Sequence, residues 1–441
     1  MILGLLYSFF YMSRYNFSAI SVNLAPIFGW SKTDIGVFES IMPLIYGLSV
    51  VLNGPIADRI GGKKAFLFGA TGVVIMNFLF GLSHIFFVHP AVWSETLDKA
   101  TSPAVFSHGF TSSSMLTLLA VVWGLNGYFQ SFGALSIVKV NAQWFHIKER
   151  GTFAGIFGVL IRLGLVLAFV GTPLIIKYTA WYWAFWIPGI FVLLLLISNW
   201  LFVQDSPQKA GFGNLDTGDE PLKDSEQTVS VFEIIKKVFT SRTMWVIAVA
   251  SMMIGFVRRS TVDAWYPIYF SEFHHAARAS LGTYLPYELS AWGIAIMGIL
   301  GGFAFGITSD HVFNGRRGPV VTVGFLGMAV TLALFWVSDS MALGPIMAAV
   351  WLLILSFFVN GSHGMIGGAA SMDFGGRKAA ATAAGLFDGM QYIAGSVNGL
   401  AVGWITQHWG WQAWKLWPIP FALIGAGLMA TLWNTLPNRK K

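Results

Sequence analysis

Four arginines stand inside stretches that are otherwise apolar: Arg14 in FFYMSRYNFSAI, Arg162, and the adjacent Arg258 and Arg259. A charged side chain at the centre of a membrane-spanning helix costs about 2.5–3.5 kcal/mol on insertion scales, so it faces a bundle interior or a water-filled cavity and has a partner there. The guanidinium is planar, forked and permanently charged, which matches the oxygens of a phosphoryl or carboxyl group two at a time. These positions therefore offer anion recognition. Arg14 has one structural alternative, an ion pair with Glu39 or Asp263. Other chemistries lack their signatures. GxSxG, HExxH and Walker A patterns are absent, and a chain without cysteine has neither a disulfide framework nor a thiolate metal site. The chain does not read as an enzyme, and no metal or cofactor is expected.

The elements that carry these arginines follow from composition. With 55% hydrophobic and 11% charged residues, and a mean hydropathy of +0.66, the chain has more apolar surface than one water-soluble core absorbs. A helix needs about 20 mostly apolar residues to cross a bilayer. Twelve stretches qualify, at 2–26, 34–54, 65–88, 113–138, 152–175, 181–203, 243–270, 285–308, 319–338, 343–370, 380–404 and 414–436. The first begins at Met1 with no basic leader and runs on into Arg14, so it reads as a spanning helix and not as a cleavable signal. The predicted fold is an all-α membrane protein of two six-helix bundles, 1–203 and 243–441. A polar, Gly- and Pro-rich linker at 204–242 joins them.

Charge distribution orients the chain. Of 27 Lys and Arg residues, 18 fall in the loops after the even-numbered spans, the linker and the tail PNRKK. Five lie on the opposite side: Lys32, Lys99, Lys177, Arg278 and Lys415. Cytoplasmic loops collect basic residues, so both termini and the linker are expected in the cytoplasm, as in a multi-pass protein of a bacterial inner membrane. The net charge of +7 is then a topology signal and implies no nucleic-acid partner. The halves also echo each other. GPIADRIGGKK (54–64) after span 2 parallels GITSDHVFNGRR (306–317) after span 8, and KERGTFAG (148–155) parallels RKAAATAAG (377–385). Six-helix repeats joined by such a linker are the build of a transporter that rocks about a midplane site.

GPIADRIGGKK resembles the loop motif of the major facilitator superfamily. Within that superfamily the chain resembles the organophosphate:phosphate antiporters through SRYNFS, WFHIKERGTFAGIF, DSPQKAGFGN, RRSTVDAWYPIYF, SDHVFNGRRG and RKAAATAAGLFDGMQYIAGS, in order and at family spacing. The resemblance implies a monomeric carrier of phosphorylated metabolites with inorganic phosphate as counter-substrate. It implies phosphate-binding arginines in spans 1 and 7, matching Arg14 and, counted back from AWYPIYF, Arg259. It implies substrate-contacting tyrosines at Tyr7, Tyr11, Tyr46 and Tyr392. Tyr7, Tyr11 and Arg14 share one helical face by spacing alone, although an interfacial aromatic is the other reading of Tyr7. Asp58, Arg59, Arg150 and Asp310 belong to the cytoplasmic loops and read as gate parts.

Departures from the family pattern fall on the cargo lining. Val50 stands where relatives carry a lysine, and Ile161 where they carry a histidine, with Arg162 next to it. Ala134-Leu135-Ser136 replaces Trp-Pro-Pro, and Asn360-Gly361-Ser362, followed by His363, replaces Tyr-Gly-Pro. Arg162 is either a third site cation favouring a polyanion or the partner of Glu39 or Asp388. Asp388 binds a substrate amine, exchanges a proton or pairs with an arginine. His363 is a pH-responsive lining residue or a hydrogen-bonded core histidine. Two other functions stay open beside phosphate exchange, import of a carboxylate-rich polyanion such as a siderophore and sensing of sugar phosphate.

Overall fold

A computed structural model describes residues 1–86, 109–145, 150–213 and 240–435. Most of the outer loop 89–112 with Lys99, the centre of the linker, and the tail PNRKK lie outside the described residues. Along the described chain run α1 (Ile2–Phe28), α2 (Lys32–Ile60), α3 (Gly62–Leu82), α4 (Ser112–Trp144) and α5 (Arg150–Val166). A π turn, Leu167–Gly171, leads from α5 into α6 (Thr172–Tyr178), and α7 (Trp183–Phe202) follows. Beyond the linker come α8 (Arg242–Ser260), α9 (Tyr266–Glu272), α10 (Leu285–His311), α11 (Arg317–Ser340) and α12 (Pro345–Gly364). A second π turn, Met365–Ala370, joins α12 to α13 (Ser371–His408), and α14 (Gly410–Leu416) and α15 (Ile419–Ala430) complete the order. The described residues contain no strand. The all-α, twelve-span architecture agrees with the sequence reading, with spans 5, 7 and 12 each built from two helical pieces.

Eight helical stretches are long and apolar enough to cross a membrane on those grounds alone. The other long helices, α1, α2, α8 and α13, carry more polar side chains. Burial explains the division. In α1, 21 of 27 residues are buried, so protein and not lipid surrounds it, and Ser8, Asn16 and Asn23 find hydrogen-bond partners there. In α7, only 28% of the apolar window is buried, and its exposed large side chains are Leu, Ile, Phe and Trp200.

The chain divides into two compact units. One comprises Met1–Glu220 with Pro267–Ala291, the other Pro221–Tyr266 with Trp292–Lys441. In the first unit α4 packs between α2 and α3. Glycine permits the close approach: a Cβ on Gly69 would lie 2.7 Å from the Phe129 carbonyl oxygen, and one on Gly127 would lie 2.7 Å from that of Met42. Pro267–Ala291 is tied into this unit by an ion pair between Lys32 and Glu272 at 2.9 Å and by the Tyr287 hydroxyl donating to the Phe169 carbonyl at 2.6 Å. In the second unit α8 packs on α13 and α15, and α11 on α12 and α15.

Two features of the second unit depart from the simplest reading of the sequence. The seventh span is broken between Ser260 and Tyr266 by a run of turns, and the amides of Val262 and Asp263 both bond the Arg258 carbonyl there. Lys415, an outer-loop charge by position, is fully buried on α14 and pairs with Asp339 at 2.5 Å. The hydropathy of a short polar interval does not reveal that its cation has a buried acid one helix away.

Candidate functional site

Arg14 is 3% exposed, and three contacts fix its guanidinium. Nε donates to Gln130 Oε1 at 2.8 Å, and Cζ stands 4.6 Å from the Tyr11 ring centre and 4.3 Å from that of Tyr46. Aromatic faces attract a cation by about 0.5–2 kcal/mol each, more when desolvated. The two rings therefore offset part of the cost of burying the charge. Tyr7 lies edge-to-face on Tyr11 at 5.3 Å and is itself buried, within a cluster that also holds Phe10 and Phe66. Tyr7, Tyr11, Arg14 and Tyr46 are thus brought together, through the i, i+4, i+7 face of α1 and one residue of α2.

An amide ladder stands behind Arg14. Gln130 donates to Asn126 Oδ1 at 3.4 Å, Asn126 donates to the Ser13 carbonyl at 3.0 Å, and Asn77 and Asn16 continue the chain. The sequence reading missed Gln130 and Asn126. Amide side chains inside α4, an otherwise apolar span, were the signal that could have found them. Ala134 and Ile161, two positions where the chain leaves the family pattern, pack as partly buried apolar side chains on the Tyr7 cluster. Glu39 is buried and accepts from Ser18 Oγ at 2.5 Å. Arg162 is half-buried on α5.

The second unit gathers its own set. Arg258 pairs with Asp263 at 2.9 Å, with side chains 15% and 4% exposed. Of the two adjacent arginines, Arg258 is thus bound to the acid at the helix break. Arg259 crosses α13 at Gly395, where a Cβ would come 3.0 Å from Arg259 Cγ. Asp388, Gln391, Tyr392 and Gly395 follow one another at helical spacing on α13, so one face carries the acid, the amide, the tyrosine and the seat of Arg259. Gln391, absent from the sequence expectations, bonds His363 Nδ1 at 2.8 Å and Ser251 Oγ at 2.9 Å. Asn360 is buried and donates to the Ser356 carbonyl and hydroxyl at 3.0 and 2.9 Å.

The loop motifs do local structural work. Asp205 of DSPQKAGFGN accepts from the Lys63 amide at 2.6 Å and so caps the start of α3. Gly61 beside it has φ +92, a conformation side chains disfavour, and its own Cβ would meet Asp205. Trp144 Nε1 donates to the Gln204 carbonyl at 2.9 Å, so three of the quoted motifs converge on the linker's first residues. Lys139 Nζ donates to the Ala57 carbonyl at 3.1 Å in the last turn of α2, a cation placed at a helix C-terminus. Arg59 is exposed in that turn. Asp310 pairs with Arg317 at 2.8 Å. Asp58 lies on α2 and Arg150 opens α5, but their side chains lie outside the described residues.

Comparisons with known proteins agree with this architecture. A probable hexose phosphate transport protein of Chlamydia trachomatis is 28% identical over 97% of this chain and 89% of its own. A glycerol-3-phosphate transporter of Bacillus subtilis is 28% identical over 97% and 90%. The membrane sensor protein UhpC of Escherichia coli is 22% identical over 97% and 88%. Among solved structures, a D-xylose-proton symporter matches with a TM-score of 0.68 at 15% identity, covering 99% of this chain and 96% of its own. A bacterial homolog of the human lysosomal transporter Spinster does so at 0.68 and 13%, with the same coverage. At such identities the structures speak for the fold alone. The Major Facilitator Superfamily model matches residues 3–399, nearly the whole helical body, and the chain belongs to that superfamily.

Proposed function

We propose that the protein is a secondary transporter of the bacterial inner membrane that moves a phosphorylated metabolite in exchange for inorganic phosphate. In this reading the halves 1–203 and 243–441 alternate access by rocking, the linker 204–242 and both termini are cytoplasmic, the carrier is a monomer, and Arg14 and Arg259 bind the phosphoryl group. Tyr7, Tyr11, Tyr46 and Tyr392 line the path, with Arg162, Asn360, His363 and Asp388 setting selectivity. Asp58, Arg59, Arg150 and Asp310 act in the cytoplasmic gate.

One observation carries the reading: the buried Arg14 guanidinium is held in a fixed plane by two tyrosine rings and by Gln130 at its Nε edge. A fixed planar fork is what two-point recognition of a phosphoryl group requires, and pre-setting it removes an ordering cost from binding. The similarity to hexose phosphate and glycerol-3-phosphate transporters over nearly full length supports the cargo class.

Phosphate self-exchange in proteoliposomes, with glycerol 3-phosphate and glucose 6-phosphate as competitors, tests the proposal. Exchange that organophosphates inhibit is the expected result. No exchange, together with uptake of a polycarboxylate, overturns the phosphate cargo. The likeness to a membrane sensor protein favours a second reading, that of a sugar-phosphate sensor. Specific binding without uptake would select it.

A further inference from the structure

Gln391 is buried on α13 and uses one amide nitrogen twice: Nε2 lies 2.9 Å from Ser251 Oγ and 2.8 Å from His363 Nδ1. The direction of these bonds is set at the far end. Ser251 Oγ stands 2.8 Å from the Phe387 carbonyl, and a carbonyl only accepts, so the hydroxyl proton is committed there. Ser251 can then only accept from Gln391, which demands the amide nitrogen and excludes the amide oxygen at that place. The second hydrogen of this nitrogen points at His363 Nδ1, which must receive it on a bare lone pair. A neutral imidazole bare at Nδ1 carries its proton on Nε2.

The frame behind this chain is rigid. A Cβ on Gly255, one turn beyond Ser251, would lie 2.6 Å from the Gln391 carbonyl oxygen and 2.9 Å from its Cα, so α8 and α13 meet backbone to backbone. Turning the amide over would set its oxygen against a serine oxygen whose proton is already committed, leaving a buried, unsatisfied contact between two acceptors. Asp388 lies on α13 one turn before Gln391, and Arg258 and Arg259 lie on α8, the helix that carries Ser251.

We propose that Gln391 is a positioning residue that holds His363 in its Nε2–H tautomer, so that the imidazole meets the transported anion as a hydrogen-bond donor without adding a charge. The donor role rests on the reading of His363 as a lining residue, whereas the tautomer rests only on the bonds to Gln391, Ser251 and Phe387. The polarity matters because an imidazole bare at Nε2 would turn a lone pair toward an anion.

Nitrogen-15 NMR of histidine-labelled protein in lipid bilayers reads the tautomer directly, with His363 identified by the signals lost in His363→Asn. The expected spectrum shows a bare, imine-type Nδ1 and a protonated Nε2. Gln391→Glu, similar in size but ionised and able only to accept, should protonate Nδ1. A protonated Nδ1 in the unmodified protein, or an unchanged pattern in Gln391→Glu, overturns the lock. If the Glu variant does not fold, the unmodified spectrum decides alone.

Transport of inorganic phosphate and glycerol 3-phosphate tests the donor. Glutamine at 363 can put an amide donor near the place of Nε2–H, whereas asparagine reaches only the place of Nδ1. His363→Asn should therefore raise KM about tenfold with kcat little changed, the loss of one hydrogen bond to a charged partner. His363→Gln should stay within about threefold of the unmodified protein, on the same scale. Equal KM values for the two variants overturn the donor role. Failure of the unmodified protein to exchange phosphate would instead overturn the cargo, and the nitrogen pattern, measured without cargo, would still decide the lock.

Discussion

Replacing Arg14 by lysine preserves the charge and removes the geometry. The ammonium cannot donate from an Nε to Gln130, cannot lie flat against Tyr11 and Tyr46, and meets an anion as a point charge where the guanidinium offers two donors in a plane. Losing one charge-assisted contact to the phosphoryl group costs about 1.5–3 kcal/mol. At about 1.4 kcal/mol per factor of ten, that weakens phosphate binding roughly 10- to 150-fold. Gln130 Oε1 loses its donor as well, so a moderate fall in thermal stability should accompany the effect. The assay is labelled phosphate exchange in proteoliposomes, with unfolding in detergent followed in parallel. Gln130→Leu completes the test. It leaves Arg14 and its charge in place while releasing the Nε edge, and should raise KM about tenfold through loss of orientation, the scale of one hydrogen bond to a charged group. Exchange by Arg14→Lys within threefold of normal would remove Arg14 from the anion site and leave the tyrosine cage a structural device.

Four further outcomes are expected. Asp263→Asn should lower stability by about 3 kcal/mol, because Arg258 is left without its acid in a buried setting, and Arg258→Met in the same chain should restore it; unfolding midpoints in detergent measure both, and an unchanged midpoint for the single variant would refute the pair's role. Gly395→Ala should impair exchange far more than Gly302→Ala, since a Cβ at 395 meets the Arg259 stem at 3.0 Å while one at 302 meets nothing within 4 Å; equal activities would detach Gly395 from Arg259 placement. Arg162→Gln should weaken binding of a polyanion more than it weakens phosphate exchange, with the gap shrinking as salt screens an open cavity; a loss of stability without a change of preference would make Arg162 a structural residue. Single cysteines at Lys177 and Gly213, both exposed, should label from outside and from inside respectively, and the reverse pattern would invert the topology.

Membrane class, the number of spans and the candidate arginines were legible in the sequence because a bilayer imposes length and polarity on each segment independently of its neighbours. A run such as Trp183–Phe202 is apolar whatever packs beside it, and Arg14 is anomalous within its own span. The shared face of Tyr7, Tyr11 and Arg14 was also local, since helical spacing alone aligns them. Partnership between helices was not legible. Arg14 meets Tyr46 and Gln130 across α2 and α4, Arg258 pairs with Asp263, and Lys415 reaches a buried Asp339. Each of these depends on the rotation and depth of one helix against another, which small residues such as Gly69, Gly127 and Gly255 fix through backbone contact. The His363 tautomer lies furthest from the sequence. A proton's place on that ring follows from a carbonyl on another helix, through a serine and an amide, and only the folded chain brings the four groups into line.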